Sequence, residues 1–282
     1  MCEMLAMSCN SKASIQFSFT GFARRGGCTS DHVDGWGVAF HGEGGCRVFI
    51  DTERASESAL AAFVREQKFQ ANVVIAHIRK ATQGAVSLAN CHPFQREWMG
   101  RQWSFCHNGD LKNFHPPARG RHRTVGATDS ERAFCWLLQE LQRTLRPTRG
   151  KLLGFKHIAP VLHRLAQQAS AHGNFNFLLT DGEALYAHCT SKLHAVARAH
   201  PFPQASLKDC DLSMDLSALN APGDRMVIIA TEPLTGEAWV PLRAHSTQVF
   251  VRGEAVWESA PEPHQAEPRV APHAAVHAAA SA

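Results

Sequence analysis

This 282-residue chain lacks any CxxC pair, although it contains nine cysteines. Zinc ribbons and fingers need such closely spaced soft ligands, so no metal site is expected. It also lacks an apolar run near the ~18 residues that a membrane-spanning helix requires. Basic residues are missing from the opening Met1-Cys2-Glu3-Met4-Leu5, where a secretory signal would carry them. The expected compartment is therefore the cytoplasm, with no membrane partner. An excess of one charge is lacking too: 29 basic and 25 acidic side chains leave a formal net charge of +4. Nucleic acid binding needs basic charge gathered on one face, and the short Arg119-Gly120-Arg121-His122-Arg123 run reads as a solvated loop. No nucleic acid, cofactor or internal repeat is expected.

What is present is ordinary globular material. Hydrophobic residues make up 44% and charged residues 19%, which excludes a disordered or fibrous chain. Val73–His77 is a β-branched apolar run and Gln102–His107 a second strand candidate ending at Asn108-Gly109. The period then changes. Phe134, Leu137, Leu138, Leu141 and Leu145 form a helical stripe, with Thr128 and Glu131 as a capping box before it and Pro147 after it. Ile158, Val161, Leu162, Leu165 and Ala169 form a second stripe ending at His172-Gly173. Beyond it the period returns to two: Phe175, Phe177 and Leu179 share a face, and Asp181-Gly182 marks a hairpin into Ala184–Cys189. Arg225–Thr231 and Gln248–Val251 supply further strands. Strands, then helices, then hairpin-joined strands predict an α+β fold with antiparallel sheets. The ordered domain is expected over residues 2–257, followed by a disordered Ala/Pro/His-rich tail over 258–282.

Most of the cysteines read as small buried apolar side chains. Cys2 differs in kind. It follows the initiator Met directly and is small enough to permit its removal, which would leave one residue bearing both a thiol and a free amine. An α-amine titrates near ~8 and a thiol near ~8.5, so nucleophile and base would arrive together. Other residues gain meaning beside it. Asn108-Gly109 reads on its own as a turn, yet an amide side chain and an approachable backbone N–H also make an oxyanion hole. Arg79 reads as a surface ion-pair residue or as a bidentate carboxylate clamp. Asp129 reads as a helix-start acid or as a counter-charge for a substrate ammonium.

Together these positions resemble the class II glutamine amidotransferases, which are N-terminal nucleophile (Ntn) hydrolases, and in particular their YafJ-like stand-alone branch. The resemblance is carried in family order by Met1-Cys2-Glu3-Met4-Leu5, Asp34-Gly35-Trp36-Gly37, Ala76-His77-Ile78-Arg79 through Thr82 and Gly84, His92-Pro93-Phe94, His107-Asn108-Gly109 and Thr128-Asp129-Ser130-Glu131. It continues through Pro233-Leu234-Thr235-Gly236 to about residue 257. The resemblance implies a four-layer αββα sandwich of two antiparallel sheets between helical layers. It implies that Cys2 attacks the glutamine side-chain amide, while Asn108 and the Gly109 N–H hold the oxyanion. Arg79 would grip the substrate α-carboxylate, Asp129 its α-amino group, and Thr82 would add a contact near the carboxylate.

Two places depart from the family pattern. Lys80 stands where many members carry Trp, and Gln83 where they carry His. No synthase domain is expected past residue 257, so any ammonia acceptor would be a partner protein. The competing readings are a hydrolase of another γ-glutamyl amide or peptide, a metal-binding module, a nucleic-acid binder and a catalytically silent partner-regulating module.

Overall fold

A computed structural model describes residues 2–117, 120–145 and 153–261. The first half runs β1 (Glu3–Ser14), α1 (Gln16–Arg24), β2 (Trp36–Gly42), β3 (Gly45–Asp51), α2 (Ala59–Glu66) and β4 (Gln70–Ile78). Next come β5 (Phe94–Trp98), β6 (Arg101–Leu111), α3 (Asp129–Thr144) and α4 (Phe155–Ser170). The remainder is β7 (Gly173–Thr180), β8 (Ala184–Cys189), β9 (His194–Ala199), β10 (Gln204–Ser206), β11 (Ser213–Asp215), β12 (Arg225–Ala230), β13 (Val240–Pro241), β14 (Ser246–Val251) and β15 (Glu254–Glu258). One sheet has the order β13-β9-β12-β1-β4-β2-β3, the other β15-β14-β8-β7-β6-β5, and β10-β11 form a separate ribbon. Every strand pairing is antiparallel.

The alternation of side chains along the central strands builds the layers. On β1, Leu5 and Met7 face outward and pack with Phe19, Phe22 and Trp36, which holds α1 against the sheet. Met4 and Ala6 point the other way and meet Cys106, Leu178 and Ala187 of the second sheet. On that sheet Phe105, Phe175, Phe177 and Leu179 turn away from the first sheet. They pack under Phe134, Leu137, Leu138 and Leu141 of α3 and Ile158, Leu162 and Leu165 of α4. The Phe105 and Phe134 rings stack at 5.0 Å and 2°. Helix, sheet, sheet and helix follow in order, as the αββα expectation requires.

Thr128 caps α3, its hydroxyl accepting from the Glu131 N–H at 3.2 Å. The reciprocal half of the capping box is not made. The Glu131 carboxylate accepts instead from the N–H groups of Val125 and Gly126 and pairs with Arg96, so it ties the loop before the helix. Asn108-Gly109 is likewise not a turn. β6 continues through both residues to Leu111 in register with β7. Cys28 is exposed, and Cys46 and Cys210 are partly so, unlike the buried thiols expected. Ser259 is buried and exchanges hydrogen bonds with Thr247, extending the ordered register just past β15. Met1, Arg119, Pro147 and residues 262–282 of the expected tail lie outside the described residues.

Candidate active site

Cys2 immediately precedes β1, and by strand alternation it shares the inward face of Met4. Pairing of Glu3 with Ile78 brings the end of β4 alongside it. The backbone N–H of Lys80 donates to the Cys2 sulfur at 3.3 Å, and the thiol lies 3.4 Å from the Lys80 carbonyl. Burial pushes the thiol pKa up; the Lys80 N–H and the charge of Arg79 pull it down, and the charge of Asp129 raises it. The resting group is therefore a thiol that needs a base to become a nucleophile. It opens on a cleft of about 580 Å³, which Thr82 and Gly109 also line.

Arg79 is held from both sides. Its N–H donates to the Gly35 carbonyl at 2.8 Å, its carbonyl accepts from Asp34, and the Asp34 carboxylate accepts from the Ala81 N–H. Gly35 has φ +108°, and a Cβ there would sit 2.6 Å from the Cys91 sulfur, so the tight Asp34-Gly35 path needs glycine. The Arg79 guanidinium is buried and donates to the carbonyls of Gln83, Gly84 and Ala85 at 2.8, 2.9 and 3.2 Å. It thus shapes the loop that carries Thr82. Lys80 pairs with Asp31, and the Gln83 side chain donates to Asp110, which anchors the same loop to β6.

Asn108 faces the first sheet, because it alternates with Phe105 and His107, which face α3. It is fully buried; its carbonyl accepts from Asn176, whose own side-chain oxygen gathers the N–H groups of Thr190, Ser191 and Lys192. At Gly109 a Cβ would fall 1.8 Å from the Asn174 carbonyl oxygen, so only glycine admits β7 this closely. Asp129, first residue of α3, is buried and accepts from the Leu111 N–H at 2.8 Å. Cys2, Thr82 and Gly109 line the cleft together; Arg79, Asn108 and Asp129 are buried and not part of that lining.

Three buried histidines brace this end of the sandwich. His107 donates through Nε2 to the Asn174 carbonyl at 3.1 Å and takes the Ser130 hydroxyl on Nδ1 at 2.7 Å. Its backbone N–H donates to His92 Nδ1, and its carbonyl accepts from His77 Nε2 at 3.1 Å. Burial holds His77 neutral, pushing its pKa down to about 3, and drives His92 well below its usual value. Among the described residues no three His, Cys, Asp or Glu side chains converge as metal ligands.

This geometry has relatives. Residues 1–273 match the family model of the class-II glutamine amidotransferases. The chain belongs to that family. It is 43% identical over 258 residues to YafJ of Escherichia coli (strain K12), provisionally named a glutamine amidotransferase, covering 91% of this chain and all of that one. A similarly named Haemophilus influenzae protein is 42% identical, covering 94% and 90% of the two chains. A crystal structure of a Pseudomonas aeruginosa PA01 protein, assigned by prediction to the glutamine amidotransferases, superposes with a TM-score of 0.71 at 38% identity. It covers 91% of this chain and all of its own. The glutamine PRPP amidotransferase of B. subtilis shares the fold alone, at TM-score 0.50 and 12% identity over 92% of this chain and 49% of that one. No helix among the described residues is long and apolar enough to cross a membrane.

Several residues around this cleft are not marked in the sequence. Lys112, Ser170 and His245 line the cleft beyond Cys2, and Thr231 and Asn176 hold Asn108. They come from separate strands or the residues just after them, the last residue of α4 and a loop, and no local pattern marks them.

Proposed function

We propose that the chain hydrolyses the side-chain amide of glutamine through a γ-glutamyl thioester on Cys2. Removal of Met1 frees the Cys2 amine, which takes the thiol proton directly or through a water. The sulfur attacks the amide carbon, and the tetrahedral oxyanion is held by Asn108 and the Gly109 N–H. Each such donor contributes roughly 3 to 4 kcal/mol in comparable sites. The carbon–nitrogen bond breaks, the amine returns its proton to the leaving nitrogen, and ammonia departs. Water then cleaves the thioester to glutamate. Arg79 binds the substrate α-carboxylate, Thr82 supports it, and Asp129 binds the α-amino group.

The observation that carries this reading is the Cys2 sulfur at the cleft, within hydrogen-bond reach of the Lys80 backbone. Arg79 and Asp129 lie near enough to act on it with opposite charge. The protein works in the cytoplasm without a cofactor, and any acceptor for the ammonia is a partner protein. The test is glutamate release from glutamine by purified protein. Turnover that Cys2→Ala removes supports the reading; turnover unchanged in that variant overturns it.

A second reading keeps the chemistry and enlarges the substrate. The cleft that Cys2 lines also takes in Lys112, Ser170 and His245, and its volume of about 580 Å³ is more than glutamine with ammonia as leaving group requires. This favours other γ-glutamyl amides or peptides, and comparing kcat/KM for glutamine with that for γ-glutamyl peptides decides between the two.

A further inference from the structure

One polar atom at the heart of the site has no partner. Asn108 Oδ1 is fully buried and unbonded among the described residues, while Asn108 Nδ2 lies 3.4 Å from the Thr231 hydroxyl oxygen. That hydroxyl already accepts the Met4 N–H at 3.0 Å. Thr231 is itself buried and fixed, its N–H donating to the Met4 carbonyl at 3.0 Å and its carbonyl accepting from His194 Nδ1 at 2.9 Å. In this arrangement the hydroxyl receives two N–H groups, and among the described residues no acceptor is bonded by its own proton. Two deficits therefore face each other: an acceptor without a donor, and a donor without an acceptor.

A half-turn of the Asn108 amide leaves the side chain's shape unchanged and removes both deficits. The Thr231 O–H then donates to Oδ1, and the NH₂ group takes the unbonded position. We propose that the Thr231 hydroxyl is a positioning group that selects this amide orientation, so that Asn108 presents a donor to the reacting carbonyl. The inference rests on the glutaminase reading above. A buried donor without a partner is costly in the resting enzyme, and the developing oxyanion is the acceptor that relieves the cost. The same hydroxyl holds the Met4 N–H, two residues from Cys2, so it also fixes the nucleophile's strand relative to the oxyanion donor.

Thr231→Val removes the hydroxyl and keeps the shape; Thr231→Ser keeps the hydroxyl. Each variant and the wild type are assayed with glutamine and with a chromogenic γ-glutamyl anilide. Cys2 alkylation by iodoacetamide, read by peptide mass, is followed in parallel, because that displacement forms no oxyanion. For Thr231→Val kcat is expected to fall ~30-fold or more, approaching the loss of one oxyanion donor, with KM and the Cys2 alkylation rate within about two-fold. Thr231→Ser is expected to restore kcat to within about three-fold. A Thr231→Val kcat near wild type, equal losses in both variants, or alkylation falling in step with kcat would overturn the proposal. These outcomes leave the glutaminase reading standing. Wild-type inactivity on both substrates would remove that reading and this one with it.

Discussion

The backbone N–H of Lys80 points at the Cys2 sulfur from 3.3 Å. It is a fixed donor to the proposed nucleophile, supplied by the residue that follows Arg79. Burial opposes thiolate formation here, and this donor and the nearby guanidinium offset part of that penalty. Replacing Lys80 by Ala keeps the backbone N–H, so activity should stay within about three-fold of wild type. Cys2→Ala should remove more than ~99% of turnover while leaving the melting temperature within a few degrees. Steady-state glutamate release and thermal denaturation check both expectations.

Arg79 supplies a fork of donors to three consecutive loop carbonyls. Arg79→Lys retains the charge but loses the planar geometry. KM for glutamine should rise by about ten-fold or more, with a smaller change in kcat. Hydrogen exchange in residues 81–86 should speed up. An unchanged KM with faster exchange would confine Arg79 to a loop-shaping role.

Gly109 is defined by what lies opposite it. The Asn174 oxygen would be 1.8 Å from any Cβ added there, so Gly109→Ala must push β7 away from β6. The cost should be about 3 kcal/mol or more, a fall of roughly 6–12 °C in melting temperature. Activity should be lost in whatever fraction still folds. An unaltered melting curve would contradict the register of β6 against β7.

Acid should destabilise the fold through its buried histidines. Burial lowers the pKa of His41 to about 4 and those of His77 and His188 to about 3. Unfolded histidines titrate near ~6.5, so below that pH the unfolded chain binds protons that the folded state refuses. Stability is therefore present above pH ~6.5 and is lost as the pH falls toward the folded values. The three together should cost about 2 kcal/mol between pH 7 and pH 6. Urea unfolding at the two pH values measures it, and equal midpoints would contradict neutral burial.

The helical layer over the second sheet was legible because α3 and α4 are 16 residues each and bury one stripe. α1 and α2 escaped notice because they span only nine and eight residues, and α1 contains Gly21. β1 was hidden for the opposite reason. Its first seven residues are buried on both faces, which erases the alternation that marks a half-buried strand. Cys2, Arg79, Thr82, Asn108, Gly109 and Asp129 lie in the motifs that carry the family resemblance. Thr231 does not, because it reaches Met4 only through a pairing 227 residues apart in sequence. Glu131 was seen as a helix cap, and only the folded loop shows its carboxylate turned to Val125 and Gly126.

The central claim is a γ-glutamyl thioester on a Cys2 that carries its own free amine. Mixing the protein with glutamine, quenching in acid and mapping peptides by mass spectrometry reads both features at once. The N-terminal peptide should begin at Cys2 and carry the mass of one γ-glutamyl group on its sulfur. An active protein that retains Met1, or an acyl group found on another residue, would contradict the mechanism.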